Sequence, residues 1–232
     1  MKRLVIFFLT SLIALGSLAA CGSAQPPTPA ENSTTTAEAP TGELEASTAE
    51  FTISPTESAA RFELEEDLRS AMTGWALGAR ITVVGTADQI SGTFQLDPTN
   101  PADAQFNPIQ IDARTFYTDE FMRTRAIQNR ILHTDQYPFI TFTPTTIEGL
   151  PDSTQIGQSV TFTIIGTLTI QDQTHEETFE VTAVFDSPTQ ISGTATTTIP
   201  REKYNLTIPN VANVTFVEEE VELYLDFVAR ST

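Results

Sequence analysis

Two histidines, one cysteine and a few closely spaced charges are the residues through which this chain could do acid–base or covalent chemistry. His133 and His175 each have a carboxylate nearby in sequence, Asp135 and Glu176, and imidazole beside carboxylate is the usual setting for general acid–base work. No Gly-x-Ser-x-Gly turn accompanies them to present a nucleophile, and both read as solvated histidines in turns. Glu218-Glu219-Glu220 gathers three carboxylates, but consecutive residues of a strand face opposite ways and calcium-loop spacing is absent. A charge run guarding a strand edge accounts for them. Asp112 and Arg114 stand two apart and so share one face of an extended segment, where they either pair with each other or meet a polar head group. One cysteine and two histidines cannot fill a four-ligand zinc site without carboxylates. CxxC motifs and glycine-rich phosphate loops are missing as well, so no metal or cofactor is expected and no catalytic residue is assigned.

The cysteine has a different chemistry. Lys2 and Arg3 precede an apolar stretch from Leu4 to Ala20, the layout of a secretory signal, and the stretch ends in Leu18-Ala19-Ala20-Cys21. Those four residues resemble the lipobox of bacterial lipoproteins, which implies cleavage after residue 20, a thioether-linked diacylglycerol on Cys21, and an exported protein anchored at the cell envelope on its periplasmic or extracellular face. An ordinary signal with a coincidental cysteine and an uncleaved anchor are the alternatives; the apolar run is marginal for a span. Loss of Lys2 and Arg3 takes the net charge from −18 to −20. So acidic a chain repels phosphate backbones, and nucleic acid is not an expected partner. Residues 21–50 follow as a lipidated cysteine and a tether: beyond Cys21 they are mostly Thr, Ala, Ser, Pro and Glu, with no Lys or Arg and Leu44 as the only large aliphatic residue. Such a composition cannot bury enough apolar surface to offset its ordering entropy. As a flexible coil the tether spans about 30 Å.

From Phe51 onward the pattern has period two, which sends successive side chains to opposite faces of a sheet. Val160, Phe162, Ile164, Gly166, Leu168 and Ile170 alternate with threonines. Phe179, Val181, Ala183 and Phe185 repeat the pattern, as do Val221, Leu223, Leu225 and Phe227. Weaker alternation runs through Phe62 and Leu64, Ile81 and Val83, Ile90 to Leu96, Ile109 to Ala113, Ile140 and Phe142, and Ile191 to Ala195. About nine strands result, separated by turn residues such as Asp97-Pro98 and Asp186-Ser187-Pro188. Residues 119–132 depart from the rule and predict one short helix, with Thr118 as N-cap, Phe121, Ile127 and Ile131 on one face, and an Asp119–Arg123 pair at i,i+4. The fold class is all-β, and periodicity leaves sandwich and barrel both open. Gly92, Gly166 and Gly193 interrupt apolar faces where barrel strands bend.

Several stretches in order resemble the YceI-like family of bacterial envelope proteins: Phe51 to Pro55, Gly92-Thr93-Phe94, Ile111 to Thr115, Thr118-Asp119 with Arg123, Tyr137-Pro138, Gly166 to Ile170 with Thr174, and Arg201 with Tyr204-Asn205-Leu206. The resemblance spans residues 51–232. Gln171-Asp172-Gln173 departs from it where the family places a glycine, with Asp172 able to take a left-handed turn. What the resemblance implies is an extended, lipocalin-like antiparallel β-barrel of about eight strands, with the helix packed across it. It also implies a long apolar ligand inside, a polyisoprenoid or isoprenoid quinone type of lipid. The interior rows that would line such a tunnel are Phe94, Ile111, Phe142, Phe162, Ile164, Leu168, Ile170, Phe179, Val181, Phe185, Leu223, Leu225 and Phe227. The same rows would equally line a solid core, and a non-catalytic interaction or stress-protective module with a filled barrel is the alternative function.

Cys21→Ser is expected to abolish acylation and processing. Mass spectrometry of the N-terminal peptide should find a diacylglycerol-modified Cys21 in the wild type and an intact, unmodified leader in the variant.

Overall fold

The computed structural model describes residues 44–69, 77–210 and 214–231; the leader, Cys21 and most of the tether lie outside the described residues. Thirteen strand segments carry the described residues. They are β1 (Ala49–Ile53), β2 (Ala59–Arg69), β3 (Leu77–Ala87), β4 (Ile90–Ser91), β5 (Thr93–Leu96), β6 (Gln105–Phe106), β7 (Ile109–Asp112), β8 (Phe139–Glu148), β9 (Ser159–Ile170), β10 (Gln173–Ser187), β11 (Gln190–Pro200), β12 (Val214–Val217) and β13 (Glu220–Ser231). One short helix, α1 (Phe121–Ala126), interrupts them and runs on as a π-helical turn over Ile127–Ile131.

All named ladders are antiparallel, and their order makes the sheet close on itself. Hydrogen bonding runs β4-β7-β8-β9-β10-β11-β13-β1-β5. β4 and β5 are one stretch of chain broken only at Gly92, whose carbonyl accepts from the Ile53 amide at 3.0 Å. The two ends of the path are therefore joined covalently, giving a barrel of eight staves if β4 and β5 count as one. At the other end of β13, residues 222–226 pair with β2 instead of β1, and β2 pairs with β3 and β12. A bridge between Thr86 of β3 and Tyr117 ties that flap back to the chain leaving β7. This is the lipocalin-like barrel with one helix that the resemblance implies, and the sandwich alternative is set aside.

Alternation sets which face is inside. In β9, Phe162, Ile164, Leu168 and Ile170 are buried, while the side chains of Thr161 and Thr169 bond to Thr182 and Thr174 of β10 on the outer face. Phenylalanine rings crowd this inner face, and glycines make room for them. The Phe62 ring covers Gly85 and the Phe227 ring covers Gly193, each directly opposite in register; the Phe142 ring leans over Gly166. A methyl group at Gly166 would stand 2.5 Å from the Thr143 carbonyl oxygen and 2.7 Å from the Phe142 ring.

The helix differs from expectation in its cap and in one face. Glu120, not Thr118, caps α1: its carboxylate accepts from the Met122 and Arg123 amides at 3.0 and 2.6 Å, which also hold its pKa below the ordinary glutamate value. Thr118 sits two residues too early; its hydroxyl donates to the Glu120 carbonyl at 3.0 Å, accepts from the Glu120 amide at 3.3 Å and shares a hydrogen bond with the Thr124 hydroxyl. Ile127 is buried and Ile131 half-buried, but Phe121 is 67% exposed, because the first turn projects beyond the barrel wall. After Ile170 it is Gln171, not Asp172, that takes the left-handed conformation, with φ 57°; the Gln171 side chain donates to the Ile131 carbonyl and so binds the hairpin to the end of the helical segment.

Gly166→Ala should lower stability by about 1–3 kcal/mol through overpacking, read from the urea midpoint. Adding Phe142→Leu should recover only part of the loss, because the clash with the Thr143 carbonyl remains.

Candidate functional site: the apolar interior of the barrel

The barrel interior holds two cavities separated by a packed layer. The larger, of about 780 Å³, lies among β2, β3, β12, β13 and the helical segment. Most of its wall is apolar, with Phe62, Leu64, Val83, Phe116, Ile127, Ile131, Ile170, Ile199, Leu206, Val221 and Leu223 among the lining residues, and the buried carboxylate of Glu66 also lines it. The smaller, of about 90 Å³, is lined almost wholly by apolar side chains such as Ile53, Phe94, Phe106, Leu150, Phe162 and Phe185. Ile140 of β8, Ile170 of β9 and Leu223 of β13 face the larger cavity. Ile164 of β9, Val181 of β10 and Leu225 of β13 face the smaller. Between them lie Phe142, Leu168 and Phe179, with the Phe142 and Phe179 rings edge-on at 4.7 Å.

This arrangement divides the residues expected along a single tunnel. Phe94, Phe162, Ile164, Val181, Phe185, Leu225 and Phe227 line the smaller cavity, and Ile170 and Leu223 line the larger. Phe142, Leu168 and Phe179 form the layer between, and Ile111 packs against both core clusters without lining either space. The tunnel is therefore not continuous; three large inward side chains meet at one level of a narrow barrel, with the Phe142 ring lying over Gly166 of the adjacent strand. Sequence reasoning missed most of the larger cavity. The alternation of Phe62, Leu64 and Leu68 was its available signal, but Leu206, Ile208 and Pro209 come from a loop with no period.

Charge gathers at the rim of the larger cavity. Arg123 makes the expected i,i+4 pair with Asp119 at 2.6 Å and also approaches the buried Glu66 of β2 at 3.5 Å. Arg201 pairs with Glu219 at 2.9 Å and donates to the Leu206 carbonyl at 3.2 Å, fixing the loop that forms one wall. Arg125 and Arg130 complete the basic side. Asp112 and Arg114 pair with each other, as one of the two expectations had it, but Arg114 lies in a 3-10 turn that Asp112 caps, and its guanidinium holds the Asp112 carboxyl below the usual range.

A second polar group is buried inside the wall. The 3-10 turn Arg201–Tyr204 ends on Asn205 in the left-handed region and turns Tyr204 fully into the core. The Tyr204 hydroxyl donates to Glu177 at 2.7 Å, and Lys203 reaches the same oxygen at 2.7 Å. Burial, with the adjacent carboxylate, pushes the phenol well above its ordinary pKa. His175 is not the solvated histidine expected of its turn: its ring stands edge-on to Tyr204 at 5.0 Å and its Nε2 is buried without a hydrogen-bond partner, because the same β10 face that carries Glu177 and Phe179 points inward. His133 is exposed, with φ 48°. The two histidines are not joined to a nucleophile, and no cluster of three or more metal-ligating side chains occurs among the described residues.

A curled antiparallel barrel with one short helix and an apolar, partly hollow interior defines a lipocalin-like container. The YceI-like domain family matches residues 51–229, and the chain belongs to that family. No curated protein matches it. Among solved structures, a polyisoprenoid binding domain from Saccharophagus degradans is similar at 15% identity and a TM-score of 0.59, covering 78% of this chain and 98% of its own. BcnA of Burkholderia cenocepacia is similar at 17% identity and a TM-score of 0.58, covering 76% and 98%. The Campylobacter jejuni YceI protein follows at 16% identity and 0.51, covering 64% and 84%.

Tyr204→Phe leaves the buried Glu177 carboxylate one donor short and should cost about 1–3 kcal/mol at neutral pH. A phenol whose pKa is raised by folding contributes fully below the unfolded value of about 10 and loses that contribution as pH rises beyond it. The fall in stability above pH 10 seen by chemical denaturation should accordingly be shallower in Tyr204→Phe.

Proposed function

We propose that this protein is a non-catalytic envelope lipoprotein whose barrel holds an isoprenoid-type lipid, sequestering or carrying it. Residues 51–232 are the container, residues 21–50 the lipidated anchor and tether, and residues 1–20 the removed leader. The single observation that carries the reading is the cavity of about 780 Å³ with apolar walls and a polar rim, since buried apolar space beside a few placed polar groups is the form of a small-molecule site. The Saccharophagus neighbour, described as a polyisoprenoid binding domain, lends the ligand class. At about 30 Å³ for each water-sized group, a volume of about 780 Å³ holds about 26 such groups, or about five isoprene units. A longer tail enters the smaller cavity only by displacing the Phe142–Phe179 layer, which makes those two rings the gauge of chain length. The interior rows named from sequence act as walls in this reading, with Ile170 and Leu223 in direct contact with the tail.

Native mass spectrometry of detergent-extracted protein should find one prenyl lipid per chain. Ile170→Trp with Leu223→Trp narrows the larger cavity and should lower the amount of that lipid and shift it toward shorter chains while the domain stays folded. Extracted protein free of lipid, or lipid unchanged in amount and length in the narrowed variant, contradicts the reading.

A further inference from the structure

We infer that the outer face of α1 is a membrane-docking surface that seats the mouth of the larger cavity on an anionic bilayer. The inference rests on the reading of the domain as a lipid container. Phe121 and Met122 are 67% and 66% exposed at the start of the helix, the most solvated large apolar side chains among the described residues. Met122, Arg125 and Arg130 line the larger cavity, so this apolar tip and the cavity share a rim. Arg125 lies one turn from Phe121, its guanidinium carbon 5.8 Å from the ring centre. Every other arginine whose side chain is described is paired with a carboxylate; Arg125 and Arg130 are not.

That exception has a physical meaning in a chain of net charge −18. An anionic leaflet repels the molecule as a whole, and paired arginines are neutralised locally. Two guanidiniums without a carboxylate partner stand here beside two exposed apolar side chains. Of the nearby acids, Asp119 and Glu66 share Arg123, and Glu120 accepts from the Met122 and Arg123 amides, so this rim is close to neutral in a chain that is acidic as a whole and presents Arg125 and Arg130 to a leaflet. Aromatic and thioether side chains inserting at the head-group level with basic residues around them are the usual composition of an interfacial contact. A lipid leaving the leaflet at this point enters the apolar cavity without crossing water.

The test uses the full chain reconstituted in vesicles. Cys21 is its only cysteine, so Met122→Cys or Asp152→Cys accepts an environment-sensitive fluorophore, and the unsubstituted chain measures any labelling at Cys21. Asp152 lies in the β8–β9 loop, away from the larger cavity. On vesicles of equal parts phosphatidylcholine and phosphatidylglycerol, label at 122 should brighten and shift to the blue, label at 152 should not, and phosphatidylcholine alone should give neither response. Arg125→Gln with Arg130→Gln should weaken docking on the order of twentyfold, at about fivefold for each basic residue near a charged surface, with thermal unfolding unchanged. Equal responses at 122 and 152, a response indifferent to phosphatidylglycerol, or one retained in the double variant overturns the inference. Bound prenyl lipid measured on the same preparations separates the two ideas: lipid present without docking removes the docking surface and leaves the container.

Discussion

Three phenylalanine rings lie on the backbone of a glycine in the strand beside them, and the interior of the barrel follows from that contact. A Cβ at Gly85, Gly166 or Gly193 would stand closer than 3.0 Å to the ring of Phe62, Phe142 or Phe227 and displace it. Glycine instead lets the ring lie against the wall, at the cost of a weaker strand. Where a ring is flattened and its neighbours are small or distant, space remains, as around Phe62 in the larger cavity and Phe227 in the smaller. Where Phe142, Phe179 and Leu168 meet at one level, the barrel is solid.

Closure matters equally. The sheet has no free edge along the path from β4 to β5 because Gly92 joins its ends, and a closed antiparallel sheet satisfies its own hydrogen bonds without a filled centre. The helical segment then covers one end: Gln128 donates to the Arg114 and Phe116 carbonyls, Gln171 to that of Ile131, and Arg123 reaches Glu66. Polar contacts rather than deep apolar packing hold α1, which suits an element whose outer face is left to solvent.

How much of this was legible in the sequence depends on whether the signal was periodic. β9, β10 and β13 announce themselves through alternation over many residues, and their inward rows are where the pattern puts them. The level at which Phe142 meets Phe179 is a matter of stagger between strands, which no single strand's pattern encodes. The helix was visible as a break in period two, yet its cap moved from Thr118 to Glu120, since both can accept from amides and only the backbone path decides. His175 read as a turn residue because it lies near Gln171-Asp172, but its parity matches Glu177 and Phe179, and parity prevailed. The pairing of Tyr204 with Glu177 joins residues far apart in the chain, and neither residue signals the other.

The central claim is that the end of the barrel beneath the helical segment is a dry space able to take an apolar chain. Calorimetric titration of the delipidated protein with farnesol at several temperatures tests it most directly. The account predicts one saturable site per chain with a clearly negative heat-capacity change, the mark of apolar surface leaving water. A titration without saturation, or binding with no change in heat capacity, would contradict it.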